Sequence, residues 1–234
     1  MPFVYRMSDV AAMLVQRPCP LIFLDTAAIL DIVRVPLRPE LPAGILTAAG
    51  SVIEQADFTP RRMWLVTSSN VQVEFERHRD SETANLSRSI IHLEAVAKLA
   101  FPERHVDWVD WVRLGLEQRV KNLVDRLVDT MEVFEGSPAC LPNAHGRVRR
   151  GEPPATRTKP SYMDCCIFEE FLELVSSIRA QGFREHAVFV TPNHKDYGRP
   201  PDGHPRIRDD LALVGASYVA NLSEALAAIA DGSP

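Results

Sequence analysis

The chain has 234 residues, 26 Lys plus Arg against 31 Asp plus Glu, a formal net charge of −5, 46% hydrophobic and 24% charged residues. These proportions belong to globular proteins and exclude a collagen-like, low-complexity or wholly disordered chain. The length suits one large domain with a core that needs no disulfide staples, and the acidic balance argues against coating a polyanion by charge alone.

The four cysteines, Cys19, Cys140, Cys165 and Cys166, form no C-x-x-C pair. That usage fits reduced thiols in a cytoplasmic protein. Met1 to Pro20 lacks the apolar core of a leader, and no apolar run approaches the roughly 20 residues of a membrane helix. The expectation is a cytoplasmic protein with no membrane partner.

In chain order, Leu21-Ile22-Phe23-Leu24 is a continuous apolar run that reads as a buried parallel strand, ending in Asp25-Thr26. Ala27 to Arg34 reads as helix, and so does Leu41 to Ala56, with Pro42 at its first position. Met63 to Val66 is a second strand, closed by Thr67-Ser68-Ser69 as helix caps. The helix that follows puts Val71, Glu74, Phe75 and His78 on one face. Leu86 to Leu99 is helical. Val106 to Phe134 carries apolar residues at Val109, Val112, Leu116, Val120, Leu123, Leu127, Met131 and Phe134, a near-heptad pattern that predicts a long amphipathic helix. This makes 81–135 a helical insertion.

Gly136 to Pro160 is rich in Pro and Gly and reads as a loop. Its His145, Arg147, Arg149, Arg150, Arg157 and Lys159 face one acid, Glu152, so the acidic chain holds one basic segment. Ser161 to Ala180 is helical, with Phe168, Phe171, Leu172 and Val175 inward. Ala187 to Val190 is a third strand, followed by Thr191-Pro192-Asn193-His194-Lys195-Asp196. Ala216 to Val219 is a fourth, and Leu222 to Ala230 a last helix capped by Asn221. Strands alternating with helices predict an α/β fold with a parallel sheet covered on both faces.

Ligands of such sheets bind at the carboxyl ends of the strands. Asp25 follows the first strand, Asn193 and Asp196 follow the third, and Glu74 lies early in the helix after the second. Asp164 opens the helix before the third strand, on the face of Phe168 and Phe171. Each acid alone has a plain role. Asp25 could cap a helix, Asp164 could join Ser161 in a capping box, Glu74 could pair with Arg77 or Arg79, and Asp196 could hold a turn before Gly198. Gathered at one sheet edge, the four need a cation, and carboxylate oxygens suit Mg2+ or Mn2+.

Four segments resemble the PIN-domain nucleases, which include the toxin ribonucleases of bacterial toxin–antitoxin systems. They are Phe23-Leu24-Asp25-Thr26; Val66-Thr67-Ser68-Ser69-Asn70-Val71-Gln72-Val73-Glu74-Phe75; Ser161-Tyr162-Met163-Asp164-Cys165-Cys166-Ile167-Phe168-Glu169-Glu170; and Val188-Phe189-Val190-Thr191-Pro192-Asn193-His194-Lys195-Asp196-Tyr197. They occur in the family's order and span roughly 20–80 and 160–230. Tyr197 departs from the commoner Phe. The resemblance implies a three-layer α/β/α sandwich and phosphodiester hydrolysis, usually of RNA, with Mg2+ or Mn2+ held by Asp25, Glu74, Asp164 and Asp196. Asn193 and Asp196 both qualify for the fourth position. Thr26, Thr191 and Asn193 would support the ligands, and Arg147, Arg149, Arg150, Arg157 and Lys159 would hold the nucleic-acid backbone. A partner is either an antitoxin or a second copy of the chain. The competing expectation is a non-catalytic PIN-like module that acts through the helix from Val106 to Phe134.

Overall fold

Leu21–Leu24 and Ala187–Val190 are apolar at every position, and such strands are stable where helices cover both faces. The computed structural model describes residues 3–100, 115–201 and 203–231. It places these two segments side by side in the middle of a six-stranded sheet. The strands are β1 (Val4–Arg6), β2 (Leu21–Leu24), β3 (Trp64–Ser68), β4 (Glu132–Glu135), β5 (Ala187–Val190) and β6 (Ser217–Val219), in the order β1-β4-β3-β2-β5-β6. All neighbouring pairs are parallel. Every residue of β2, β3 and β5 is buried.

The helices are α1 (Met7–Gln16), α2 (Thr26–Arg34), α3 (Gly44–Asp57), α4 (Ser69–Ala100), α5 (Leu116–Thr130), α6 (Cys140–Arg150), α7 (Tyr162–Ala180), α8 (His194–Tyr197), α9 (Pro205–Val214) and α10 (Leu222–Ala230). One layer joins α2, α3, α5 and α10, while the other joins α1, α7 and α9, with α6 against α7. Helix α4 touches both α2 and α7. The result is the expected three-layer α/β/α sandwich. Its core is aromatic on the α7 side: Phe23 stacks on Phe189 at 5.7 Å between centroids and tilts against Phe171 at 5.4 Å. Phe168 meets Tyr197 edge-on at 5.7 Å. Aromatic pairs of this kind contribute about 0.5–1.5 kcal/mol beyond their buried area. No helix among the described residues is long and apolar enough to cross a membrane.

Several expectations change. The pattern assigned to one helix over Val106–Phe134 is divided: 106–114 lies outside the described residues, α5 ends at Thr130, and Met131 to Phe134 leads into and through β4. Phe134 therefore pairs within the sheet, next to Ser68 of β3. A spacing of three and four residues continues across the helix end, which hid the boundary. Val120, Val124 and Leu127 of α5 are buried in the core, with α3 and α2 as neighbours. The apolar face proposed as an interaction surface is thus already covered over α5. Gly136–Pro160 is not simply a loop, because it contains α6. Pro142 sits in the first turn, where no amide partner is lost, and Gly151 ends the helix at φ 64°, a left-handed cap. The same two residue types read as loop punctuation are here a helix start and stop. On α4, Val71 and Phe75 are buried as expected, but His78 is exposed.

The chain steps from β2 to β3 to β4 in one direction, then crosses back to β5 and β6 on the other side of β2. The strand order reverses at β2, and the carboxyl ends of β2 and β5 flank the crevice where open α/β sheets bind ligands.

Candidate active site

Asp25 is the first residue after β2. Its amide donates to Val190 O of β5 at 3.1 Å, which seats it inside the crevice. The register pairs Leu24 with Val190, so Asp25 and Thr191 emerge side by side. Thr191 Oγ1 donates to Asp25 Oδ2 at 2.6 Å. Asp25 Oδ1 accepts from Thr26 N at 2.7 Å, so Asp25 also caps α2. Thr26 in turn donates from Oγ1 to Glu74 Oε2 of α4 at 2.8 Å. The plain reading of Glu74 is a pair with Arg77 or Arg79; Arg79 pairs instead with Asp125, and the side-chain bond Glu74 makes is to Thr26.

Asp196 lies on α8, behind β5. Asn193 Nδ2 donates to its Oδ2 at 2.8 Å, and Lys159 Nζ pairs with the same oxygen at 2.5 Å. The chain can turn back after α8 because of Gly198 at φ 81°. A Cβ there would stand 2.3 Å from the backbone nitrogen of His204. Asp164 is in the first turn of α7, and Tyr197 anchors that turn by donating from its hydroxyl to Asp164 O at 3.1 Å. Ser161 makes no side-chain cap hydrogen bond to α7, so the reciprocal capping box does not form, though Ser161 opposes the rise of the Asp164 carboxyl.

The electrostatics tie the four acids together. Burial pushes the Asp25 carboxyl up to about 7; the Thr191 bond opposes the rise, and the charges of Asp164 and Glu74 add to it. Asp25 is 3% exposed. Burial likewise raises Asp164 to about 6, helped by Asp196 and Glu74 and opposed by Lys159. Asp164 and Glu74 thus act on Asp25, and Asp196 and Glu74 act on Asp164, with the Lys159 ammonium beside them. Like charges buried together favour either a proton or a bound cation. The donors are all oxygen, the set preferred by Mg2+ and Mn2+. Among the described residues, no group of three or more His, Cys, Asp and Glu side chains is already set to hold a metal ion. The fit rests on donor chemistry and on excess negative charge.

The basic residues fare differently. Arg147 is 3% exposed, bonds Glu169 of α7, and donates to Asp210 of α9 at 2.6 Å and to Pro153 O at 2.8 Å. Burial alone would weaken its charge, but Glu169 and Asp210 outweigh that and raise its pKa. It joins helices inside the protein and is out of reach of a nucleic acid. Arg150 is exposed but makes a two-point pair with Glu152, at 2.7 and 2.9 Å. Arg149 and Arg157 are exposed. Lys159 belongs to the acid cluster. The sequence did not mark that pairing, because 37 positions separate Lys159 from Asp196. It also did not mark Glu170, a buried carboxyl on α7 that accepts from Asn70 at 2.6 Å and is raised by burial.

No family model matches the chain, and no curated protein or solved structure matches it significantly.

Proposed function

We propose that the protein is a Mg2+- or Mn2+-dependent nuclease of PIN type that hydrolyses phosphodiester bonds, with RNA as its substrate. The observation that carries this reading is the gathering of Asp25, Glu74, Asp164 and Asp196 at the point where the strand order reverses. Asp25 and Asp164 would hold the ion, with Glu74 and Asp196 completing the acidic set. When bound, the ion supplies charge for the scissile phosphate and lowers the pKa of an attacking water.

The chain's own residues keep the carboxylates in place. Thr191 and the Thr26 amide each take one oxygen of Asp25 and fix its plane. Thr26 Oγ1 fixes Glu74, and Asn193 fixes Asp196, whose Oδ2 the Lys159 ammonium also occupies. At neutral pH Asp25, raised to about 7, carries a proton about half of the time. A cation must displace that proton, so cation affinity rises with pH.

The test compares wild type with Asp25→Asn and Asp164→Asn on mixed RNA and single-stranded DNA with Mn2+. Wild type cleaves RNA, and both variants lose on the order of a hundredfold or more in rate, at least the loss seen for supporting residues of metal sites. Unchanged cleavage in both variants contradicts the proposal.

A further inference from the structure

Glu170 is a buried acid of α7 that the proposed chemistry does not use. Its carboxyl lies among the last residue of β3, the first turn of α4 and Gly136, just past β4. Oε1 accepts from Asn70 Nδ2 at 2.6 Å. Oε2 finds no hydrogen-bond partner of good geometry, and neither does Ser68 Oγ, which is just as deeply buried. Ser68 nevertheless acts on the Glu170 carboxyl, so the two orphan atoms are neighbours. Gly136 makes the room: a Cβ there would overlap Oε1 and stand 2.7 Å from the carboxyl carbon.

A proton on Oε2 gives both orphans a partner at once. A protonated carboxyl gains an O–H donor, and a serine oxygen accepts. Buried polar atoms without partners are costly, so the form that pairs them is the stable one. The surroundings favour that proton. Burial pushes the carboxyl up and the charge of Glu173 adds to the rise, against the neutral side chains of Ser68 and Asn70. The titratable neighbours on α6 and α7 supply no cation. Cys140 donates its thiol to Glu173, Cys166 feels the Glu170 charge, and the Arg147 guanidinium is taken by Glu169 and Asp210.

Asn70 and Glu74 lie about one turn apart on α4, and Asp164 and Glu170 share α7. The bond from Asn70 to Glu170 thus joins the helix that carries Glu74 to the helix that carries Asp164, and Glu74 acts on Asp164 across that gap. We infer that Glu170 is a neutral carboxylic acid and a positioning residue: it donates to Ser68, accepts from Asn70, and so sets the separation of Glu74 from Asp164. The use of that separation for a metal rests on the nuclease reading; the neutral clamp does not.

The experiment compares wild type, Glu170→Gln, Glu170→Ala and Gly136→Ala, each checked for fold by circular dichroism. Gln keeps an acceptor for Asn70 and offers Ser68 an N–H, as the neutral acid offers an O–H. Gly136→Ala leaves every polar group in place and pushes the carboxyl off Asn70. The first readout is urea unfolding in EDTA and needs no metal. An acid held neutral by the fold loses its contribution as pH rises above the ordinary 4.5, and Gln has none to lose. Glu170→Gln therefore matches wild type at acid pH, and its urea midpoint gains on wild type as pH rises. A midpoint that never gains on wild type overturns the neutral acid. The second readout is Mn2+ affinity, from the loss of the free-ion electron paramagnetic resonance signal. Glu170→Gln binds Mn2+ within about twofold of wild type, while Glu170→Ala and Gly136→Ala bind about 10–100-fold more weakly. Folded Glu170→Ala and Gly136→Ala proteins that bind as wild type overturn the positioning role, and so does a Gln variant as weak as the Ala variant. Wild type that binds no Mn2+, with the urea result as stated, sinks the metal reading and leaves the neutral clamp standing.

Discussion

Helix α7 carries a half-buried acid, Asp164, and a buried one, Glu169, about one and a half turns apart and in opposite electrostatic settings. Around Glu169 the charges are closed. Arg147 stands between Glu169 and Asp210, its third donor meets Pro153 O, and its guanidinium lies 5.0 Å from the Phe168 ring centre. One cation, two carboxylates and a carbonyl hold α6, α7 and α9 together. Around Asp164 the charges are open. Asp25, Glu74 and Asp196 bring three more carboxylates, and the one ammonium, Lys159, has a side chain 61% exposed to water. The same kind of residue on the same helix is a structural brace where its counterion is built in. It points to a ligand where the counterion is missing.

Removing the built-in cation is the strongest way to break this contrast. Arg147→Ala leaves Glu169 and Asp210 buried without a partner and costs about 3–5 kcal/mol of stability, read by urea unfolding. A loss below about 1 kcal/mol would mean that the brace is replaceable.

The open cluster responds in the opposite direction. Asp25 has its carboxyl raised from 3.8 to about 7 and Asp164 from 3.8 to about 6, so the folded state holds more protons than the unfolded state between those values. Their contribution to stability is full below about pH 4 and is lost as pH rises through about 6 and 7. In EDTA, wild type loses stability across that window. Asp25→Asn removes most of the loss and is more stable than wild type at mildly alkaline pH, by about 2 kcal/mol. Mn2+ stabilises wild type there and not the variant. A variant less stable than wild type at every pH would show that Asp25 is a structural acid like Glu169.

Thr191→Val sharpens the contrast without touching a carboxylate. It deletes the hydroxyl that fixes Asp25 and lowers Mn2+-dependent cleavage by about 10–100-fold, while a titration shows weaker Mn2+ binding. The smallest effect falls on Lys159→Ala. Because that lysine is largely exposed, its loss changes stability by less than about 1 kcal/mol. Mn2+ binding tightens severalfold, since no ammonium then competes at Asp196. Weaker Mn2+ binding would make Lys159 a supporter of the site instead.

The sequence made the centre of the sheet and its edge readable for a physical reason. β2 and β5 are uninterrupted apolar runs and β3 opens on one, Trp64-Leu65-Val66, while polar residues, Asp25, Ser69, Thr191 and Asn193, stand where the strands give way to loops and helices. β1 and β4 were not readable. Each is three or four residues long, with a polar residue at one or both ends, and β4 continues the spacing of the preceding helix. The direction each arginine faces was also hidden. Arg147, Arg149 and Arg150 are alternatives of equal chemistry in one short run, and it is α6 packing on α7 that turns Arg147 inward.

The central claim is the proposal that Asp25 and Asp164, with Glu74 and Asp196, hold a divalent cation. Anomalous diffraction from crystals grown at mildly alkaline pH with Mn2+ tests it directly. The account predicts a strong peak bounded by the carboxylates of Asp25 and Asp164, lost in Asp25→Asn. Well-ordered crystals with no peak in reach of either residue would contradict it.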